Sequence, residues 1–233
     1  HKLALLVSLC FGTRVDFDRI YTEGITGISA IDVNFAREFG YKIKLLAIGK
    51  WDGERVEARV HPTMIPLNYP LADVDGVFNA IRLTGDFVGT VMLYGRGAGM
   101  EPTASAITGD LLDISRNILA GVGQRVAARG YREETVKNLP IKPIGEMVSK
   151  YYLRFSALDR PGVLAKIAGS LGTFGISIES MIQTGRSAGD TVPIVIMTHE
   201  AREQDIRAAL AEIDGFEVIK EKCNFIRIED NLE

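Results

Sequence analysis

Three places in this 233-residue chain hold residues whose type and spacing could do chemistry. The first is Gly95-Arg96-Gly97-Ala98-Gly99, which follows a strand-like segment and precedes a helical one. There a backbone without side chains can approach a phosphate or a flat ring. The run departs from the G-x-G-x-x-G dinucleotide fingerprint: position 100 is Met, and no second strand ending in a ribose-binding acid follows. A tight turn that lets a helix pack close to a sheet explains the same glycines. The second place is Asp159-Arg160-Pro161-Gly162, where glycine at the mouth of a helix would let a small ligand reach N–H groups that favour a carboxylate. An ordinary β-to-α turn is the other explanation. The third is a pair of isolated basic residues. Lys2 is a proton donor only in dry surroundings and otherwise a solvated lysine, while His61, beside Pro62, either lines a cleft or packs. No Ser/His/Asp set, paired-carboxylate motif or metal-ligand spacing stands out, and Cys10 and Cys223 lie far apart.

The elements that must position these residues follow from periodicity. Residues 2–11 are apolar on nearly every face, which predicts a buried helix. A second helix is predicted over 29–39, with Ile31, Phe35 and Phe39 on one stripe and Gly40 just past its end. Alternation over 41–49 and 55–60 predicts a hairpin, followed by an irregular stretch from His61-Pro62 to Pro70. Strands at 76–83 and 87–94 lead through the glycine run into a helix over 102–119. Glycines, prolines and polar residues in 121–148 break periodicity and suggest an interdomain connection. Beyond it, Leu153, Phe155 and Ala157 alternate with Tyr152, Arg154 and Ser156 in a strand. A helix carrying Leu164, Ile167, Ala168 and Leu171 ends at Gly175. Strands at 176–183 and 191–198 follow, separated by 187–190, with Pro193 marking an irregularity or an unpaired side. A helix over 201–213 with Ile206, Leu210 and Ile213 on one face precedes a last strand or pair within 216–228. The order βαββαβ is that of a ferredoxin-like sandwich.

The bulk composition narrows the classes. Hydrophobic residues make up 46% and charged ones 24%, an ordinary globular balance with length for two cores. A net charge of −3 gives no electrostatic reason to expect nucleic acid. No apolar stretch reaches the roughly 18 residues of a membrane span, and the N-terminal run lacks a small-residue cleavage site. A reducing cytoplasm fits best. The chain opens on His1 and enters its first helix with no Ser, Thr, Asp or Asn before it, which suggests that residue 1 is a cut.

Several stretches resemble the substrate domain of homoserine dehydrogenases: Thr22-Glu23-Gly24-Ile25, the run from Gly40 to Ala47, His61-Pro62, and most specifically Gly97 to Ala106 with Asp110-Leu111. The later part is similar to the ACT module of many bacterial members, with Asp159 to Leu164 as its opening. The resemblance implies an α+β chain in three parts. Residues 1–120 form an N-terminally truncated catalytic (substrate-binding) domain with a mixed or antiparallel sheet and helices, 121–148 a linker, and 149–233 a ferredoxin-like βαββαβ ACT regulatory domain. It implies reversible hydride transfer between NADP or NAD and L-aspartate 4-semialdehyde, giving L-homoserine on the way to threonine, isoleucine and methionine. Lys2 stands in the place of the family's catalytic lysine, which exchanges a proton with the reacting oxygen. Gly97 and Gly99 would contact the nicotinamide cofactor. The family's substrate-binding acids and nucleotide-binding domain would lie before residue 1, so the chain alone is expected to be inactive. Threonine is the expected effector, its carboxylate near the N–H groups of Gly162 and Val163 and its ammonium near Asp159. An exposed sheet edge would join copies into a homo-oligomer. The competing possibility is a non-catalytic amino-acid-binding regulator whose first half is a dimerisation scaffold.

Overall fold

The computed structural model describes residues 1–123, 127, 130–183 and 191–231. Helix α1 (Lys2–Phe11) forms as its periodicity predicts, but it is buried on one side only. Leu3 and Val7 pack with Val56 and Ala58, while Leu5 and Leu9 face outward. The short strand β1 (Tyr21–Thr22) is followed by helix α2 (Ala30–Glu38), which ends where Gly40 takes φ 82°. Its buried stripe is Asp32, Phe35 and Ala36, one step round the helix from the predicted one; Ile31 is partly exposed. Strands β2 (Tyr41–Trp51) and β3 (Val56–Pro66) pair antiparallel from Tyr41 opposite Pro66 to Trp51 opposite Val56.

β3 therefore runs straight through His61-Pro62, where the sequence suggested irregular chain. On one edge of β3, the Val60 carbonyl accepts from the Glu23 N–H beyond β1, and the Met64 carbonyl accepts from the Glu229 N–H. Alternation along the strand points the Pro62 nitrogen into the gap between those two partners, so its missing hydrogen breaks no ladder. Strands β4 (Phe78–Gly85) and β5 (Gly89–Arg96) form a separate two-stranded sheet, and helix α3 (Met100–Leu119), which follows it, buries none of its residues. The described part of the connection is sewn to the first half. Lys137 N–H donates to the Gly12 carbonyl, Val56 N–H donates to the Pro140 carbonyl, and Leu139 and Ile141 join the α1 cluster.

The second half comprises β6 (Val148–Leu158), α4 (Val163–Thr173), β7 (Ile178–Gln183), β8 (Thr191–Thr198), the two-residue β9 (Ala201–Arg202), α5 (Glu203–Ile213) and β10 (Ile219–Ile228). Apart from β9, this is the expected βαββαβ order, with strands arranged β10-β6-β8-β7 and all pairs antiparallel. The 187–190 turn lies outside the described residues. Pro193 sits opposite Ser156 on β6, and the described β7–β8 ladder ends at Gln183 opposite Ile194, one residue short of it. β10 also pairs in parallel with β3, Thr63 opposite Arg227 and Met64 opposite Ile228, so both halves share one eight-stranded sheet.

That sheet is covered on both faces of its second half. Leu153, Phe155 and Ala157 pack under α4 and α5 with Ile167, Leu171, Ile206 and Ile213. Tyr152, Val195, Met197, Ile226 and Ile228 face the other way and pack against Phe35 and Ala36 of α2 and Met64 of β3. One legible sign of this existed. β8 is apolar at both parities, from Val192 through Ile194, Val195, Ile196 and Met197, as strands buried on two faces are.

Candidate functional site

The residues singled out in the first half stand on separate elements. Lys2 is the first residue of α1 and is exposed, and the His1 ring before it stacks on Phe17 with centroids 4.2 Å apart. The glycine turn lies between β5 and α3, far along the chain. A Cβ on Gly97 would stand 2.0 Å from Asn79 Nδ2, so a side chain there would have to displace the exposed Asn79 amide. Gly99 begins α3 at φ 131°, a backbone conformation that strains any residue with a side chain. The turn is exposed, so its backbone remains approachable at Gly99. Among the described residues there is no group of three or more His, Cys, Asp or Glu side chains able to hold a metal ion, and no helix is long and apolar enough to cross a membrane.

The second half holds a formed cleft. About 380 Å³ in volume, it is lined by Asp159, Arg160, Gly162, Leu164, Gln183 and Ile194 among others. That is within the range of small-ligand pockets. The local sequence builds it: Gly162 takes φ 89° to turn the chain from β6 into α4 and begins that helix without a side-chain cap. Asp159 and Gly162 thus come together as expected. Val163 lines the cleft too, although its side chain is 5% exposed and belongs to the core under α4.

Two buried polar clusters join the halves, and neither was apparent in the sequence. In one, the carboxylate of Asp32, itself fully buried, accepts from Tyr152 Oη at 2.9 Å, Arg154 Nε at 2.6 Å and Asn224 Nδ2 at 2.8 Å. It also accepts from Ser29 N at 3.1 Å and Oγ at 2.5 Å, which closes the first turn of α2. Burial pushes this carboxyl up, but the bonds from Arg154 and Ser29 outweigh it and hold Asp32 below the usual carboxylate range. In the other cluster, Arg227 Nε donates to Glu203 Oε2 at 2.6 Å and Nη1 to Glu23 Oε2 at 2.9 Å. Tyr21 Oη also donates to Glu23, at 2.8 Å. Burial pushes Glu203 up, and the bond from Arg227 leads those that hold it low.

His61 lies at the same junction and is completely buried. Its Nε2 accepts from Arg59 Nε at 3.1 Å, so the proton sits on Nδ1, which donates to the Pro62 carbonyl at 3.0 Å. Burial first, and the Arg227 and Arg59 charges in support, bring it down to about 4. His61 is thus a neutral, completely buried packing residue of the junction.

The architecture is an α+β segment fused through one sheet to a ferredoxin-like βαββαβ unit, and comparison with known proteins agrees. The homoserine dehydrogenase profile matches residues 1–112, and the ACT domain profile matches residues 151–217. The homoserine dehydrogenase of Neisseria gonorrhoeae is 42% identical over 229 residues, which is 98% of this chain and 53% of that protein. The Pseudomonas aeruginosa enzyme is 42% identical over 230 residues, with the same coverage. Among solved structures, a homoserine dehydrogenase from Thiobacillus denitrificans superposes with a TM-score of 0.90 at 41% identity, covering 99% of this chain and 52% of that one. Residues 1–112 thus belong to the homoserine dehydrogenase family and residues 151–217 to the ACT family, and the chain spans about half the length of the curated relatives it matches.

Proposed function

We propose that this chain is the substrate-side and regulatory portion of a cytoplasmic enzyme that interconverts L-aspartate 4-semialdehyde and L-homoserine with NADP or NAD. The observation that supports this most is the likeness to the Thiobacillus denitrificans enzyme over 99% of the chain. The nicotinamide cofactor supplies the hydride when bound. Lys2, at the start of α1, donates a proton to the semialdehyde oxygen as the alcohol forms and removes it in the reverse direction; its cationic form also stabilises the developing alkoxide. The exposed turn at Gly97 and Gly99 lies against the nicotinamide, with Gly99 leaving the backbone bare. In the ACT domain, the cleft at Asp159 and Gly162 takes threonine, its ammonium towards Asp159 and its carboxylate towards the start of α4 at Gly162 and Val163. Copies of the chain associate into a homo-oligomer.

The test is a chimera in which the upstream half of the Neisseria gonorrhoeae relative is joined to this chain. The chimera is expected to reduce cofactor in the presence of homoserine, the chain alone is not, and Lys2→Ala in the chimera lowers kcat by roughly two to four powers of ten with little change in cofactor affinity. Full activity of the Lys2→Ala chimera would leave Lys2 as a solvated lysine. A folded but inert chimera that still binds amino acid would favour the non-catalytic regulator.

A further inference from the structure

The wall of the ACT cleft and the seat of α2 are built from the same strands. Gln183 and Ile194, opposite each other on β7 and β8, line the cleft. Their sequence neighbours Ile182 and Val195 project to the other face and pack in the cluster of Phe35 and Ala36 of α2. Because successive side chains leave a strand on opposite sides of one backbone, a shift of β7 or β8 on the cleft side moves the floor under α2. Leu158 of β6 also lines the cleft, and four residues earlier Arg154 grips α2 through Asp32.

Asp32 makes this contact rigid. Its carboxylate closes the first turn of α2 and also takes hydrogen bonds from two ACT strands, Tyr152 and Arg154 of β6 and Asn224 of β10. Charge-assisted bonds in so buried a site are strong, and α2 cannot move off the sheet without leaving them unmade. At its other end α2 leads through Phe39 and Gly40 into β2. α1, which starts at Lys2, rests on β2 and β3: a Cβ on Gly49 of β2 would stand 2.9 Å from a Val7 methyl and 3.6 Å from Leu3.

We propose that α2 is the element through which amino-acid occupancy of the ACT cleft reaches the catalytic half, with Asp32 as the positioning residue that couples them. This rests on the cleft being an effector site. The path is short: one strand thickness from cleft to α2, then β2, then the helix bearing Lys2. The connection at 121–148 is not needed to carry it.

The test uses the whole chain. Threonine, isoleucine and methionine are titrated separately by calorimetry, and hydrogen exchange of residues 30–39 is followed with and without each. In the unaltered chain a bound amino acid should change exchange in α2 by roughly fivefold or more. In Asp32→Asn, which keeps the shape and loses the charge, affinity should stay within about threefold while the ligand-dependent change in α2 disappears. A merely structural role would raise baseline exchange in α2 and leave the ligand-dependent change intact, and that result would overturn the proposal. So would an amino acid that binds without affecting α2. Tyr152→Phe removes one bond only and serves if Asp32→Asn does not fold; it should halve the response or more. Should no amino acid bind, the effector reading fails by itself, and coupling is then read from Gly162→Asp, which perturbs the cleft without ligand. Altered exchange in α2 that vanishes in the double variant with Asp32→Asn supports the coupling; unaltered exchange rejects it.

Discussion

The two faces of the ACT sheet both carry buried apolar cores, but they are covered by different parts of the chain. Under α4 and α5 the sheet meets its own helices, which lie between its strands in the same second half of the chain, and the packing is almost wholly apolar. Under α2 it meets an element 110 residues or more upstream, and a buried carboxylate sits among the apolar side chains. The first face makes the ACT unit a domain. The second makes it a fixture of the catalytic half, because truncating an apolar contact weakens a face by degrees, whereas a buried ion pair that loses a partner leaves a charge stranded.

Core truncation should separate the faces most strongly. Phe155→Ala, on the helix face and fully buried, is expected to cost about 3–5 kcal/mol and to unfold the ACT strands as a unit. Ile226→Ala, on the α2 face, should cost about 2–5 kcal/mol and raise exchange in α2 before it does so in α5. Urea unfolding with residue-level hydrogen exchange reads both. Equal loosening of α2 and α5 by Ile226→Ala would mean that the two faces are not separable.

Acid should weaken the junction next. His61 has its pKa brought down to about 4 in the folded protein from an ordinary 6.5, so the unfolded chain takes up the proton first as pH falls. Its contribution is complete above pH 6.5 and is lost progressively down to pH 4, on the order of 3 kcal/mol in total. Asp32 and Glu203, also held low, give up their contributions from the ordinary carboxylate range downward. The urea midpoint should therefore decline between pH 6.5 and 4, and His61→Gln should flatten that decline. A slope unchanged by the substitution would place the titration elsewhere.

Two adjacent tyrosines give the smallest and most local contrast. Tyr151 points to the helix face, where its hydroxyl is buried with no hydrogen-bond partner among the described residues, whereas the Tyr152 hydroxyl donates to Asp32 on the α2 face. Tyr151→Phe should be neutral or stabilising by up to about 1 kcal/mol. Tyr152→Phe should destabilise by about 1–2 kcal/mol, because its partner is charged. Equal melting shifts for the pair would show that the Asp32 contact contributes little beyond packing.

The sequence by itself determined every helix and nearly every strand, the βαββαβ order and the turn at Gly162, since each depends on periods of two or 3.6 residues and on glycines at local turns. The resemblance to the family was legible for the same reason, being carried by short contiguous motifs. Periodicity tells which residues share a face and is silent about what covers that face. Hence α1 read as buried all round although Leu5 and Leu9 are outside, and alternation put Tyr152 and Arg154 on one face of β6 without showing that α2 covers that face through Asp32. Pro62 read as a breaker because nothing local shows that its nitrogen faces a gap between two partner strands. Tertiary structure alone decided the pairing of β3 with β10, the burial of His61, and the meeting of Asp32 with Tyr152 and Asn224, which stand 120 and 192 residues away. The physical reason is that a buried charge is stable only where several donors converge. That convergence is a property of how two faces stack, which no single stretch of sequence contains.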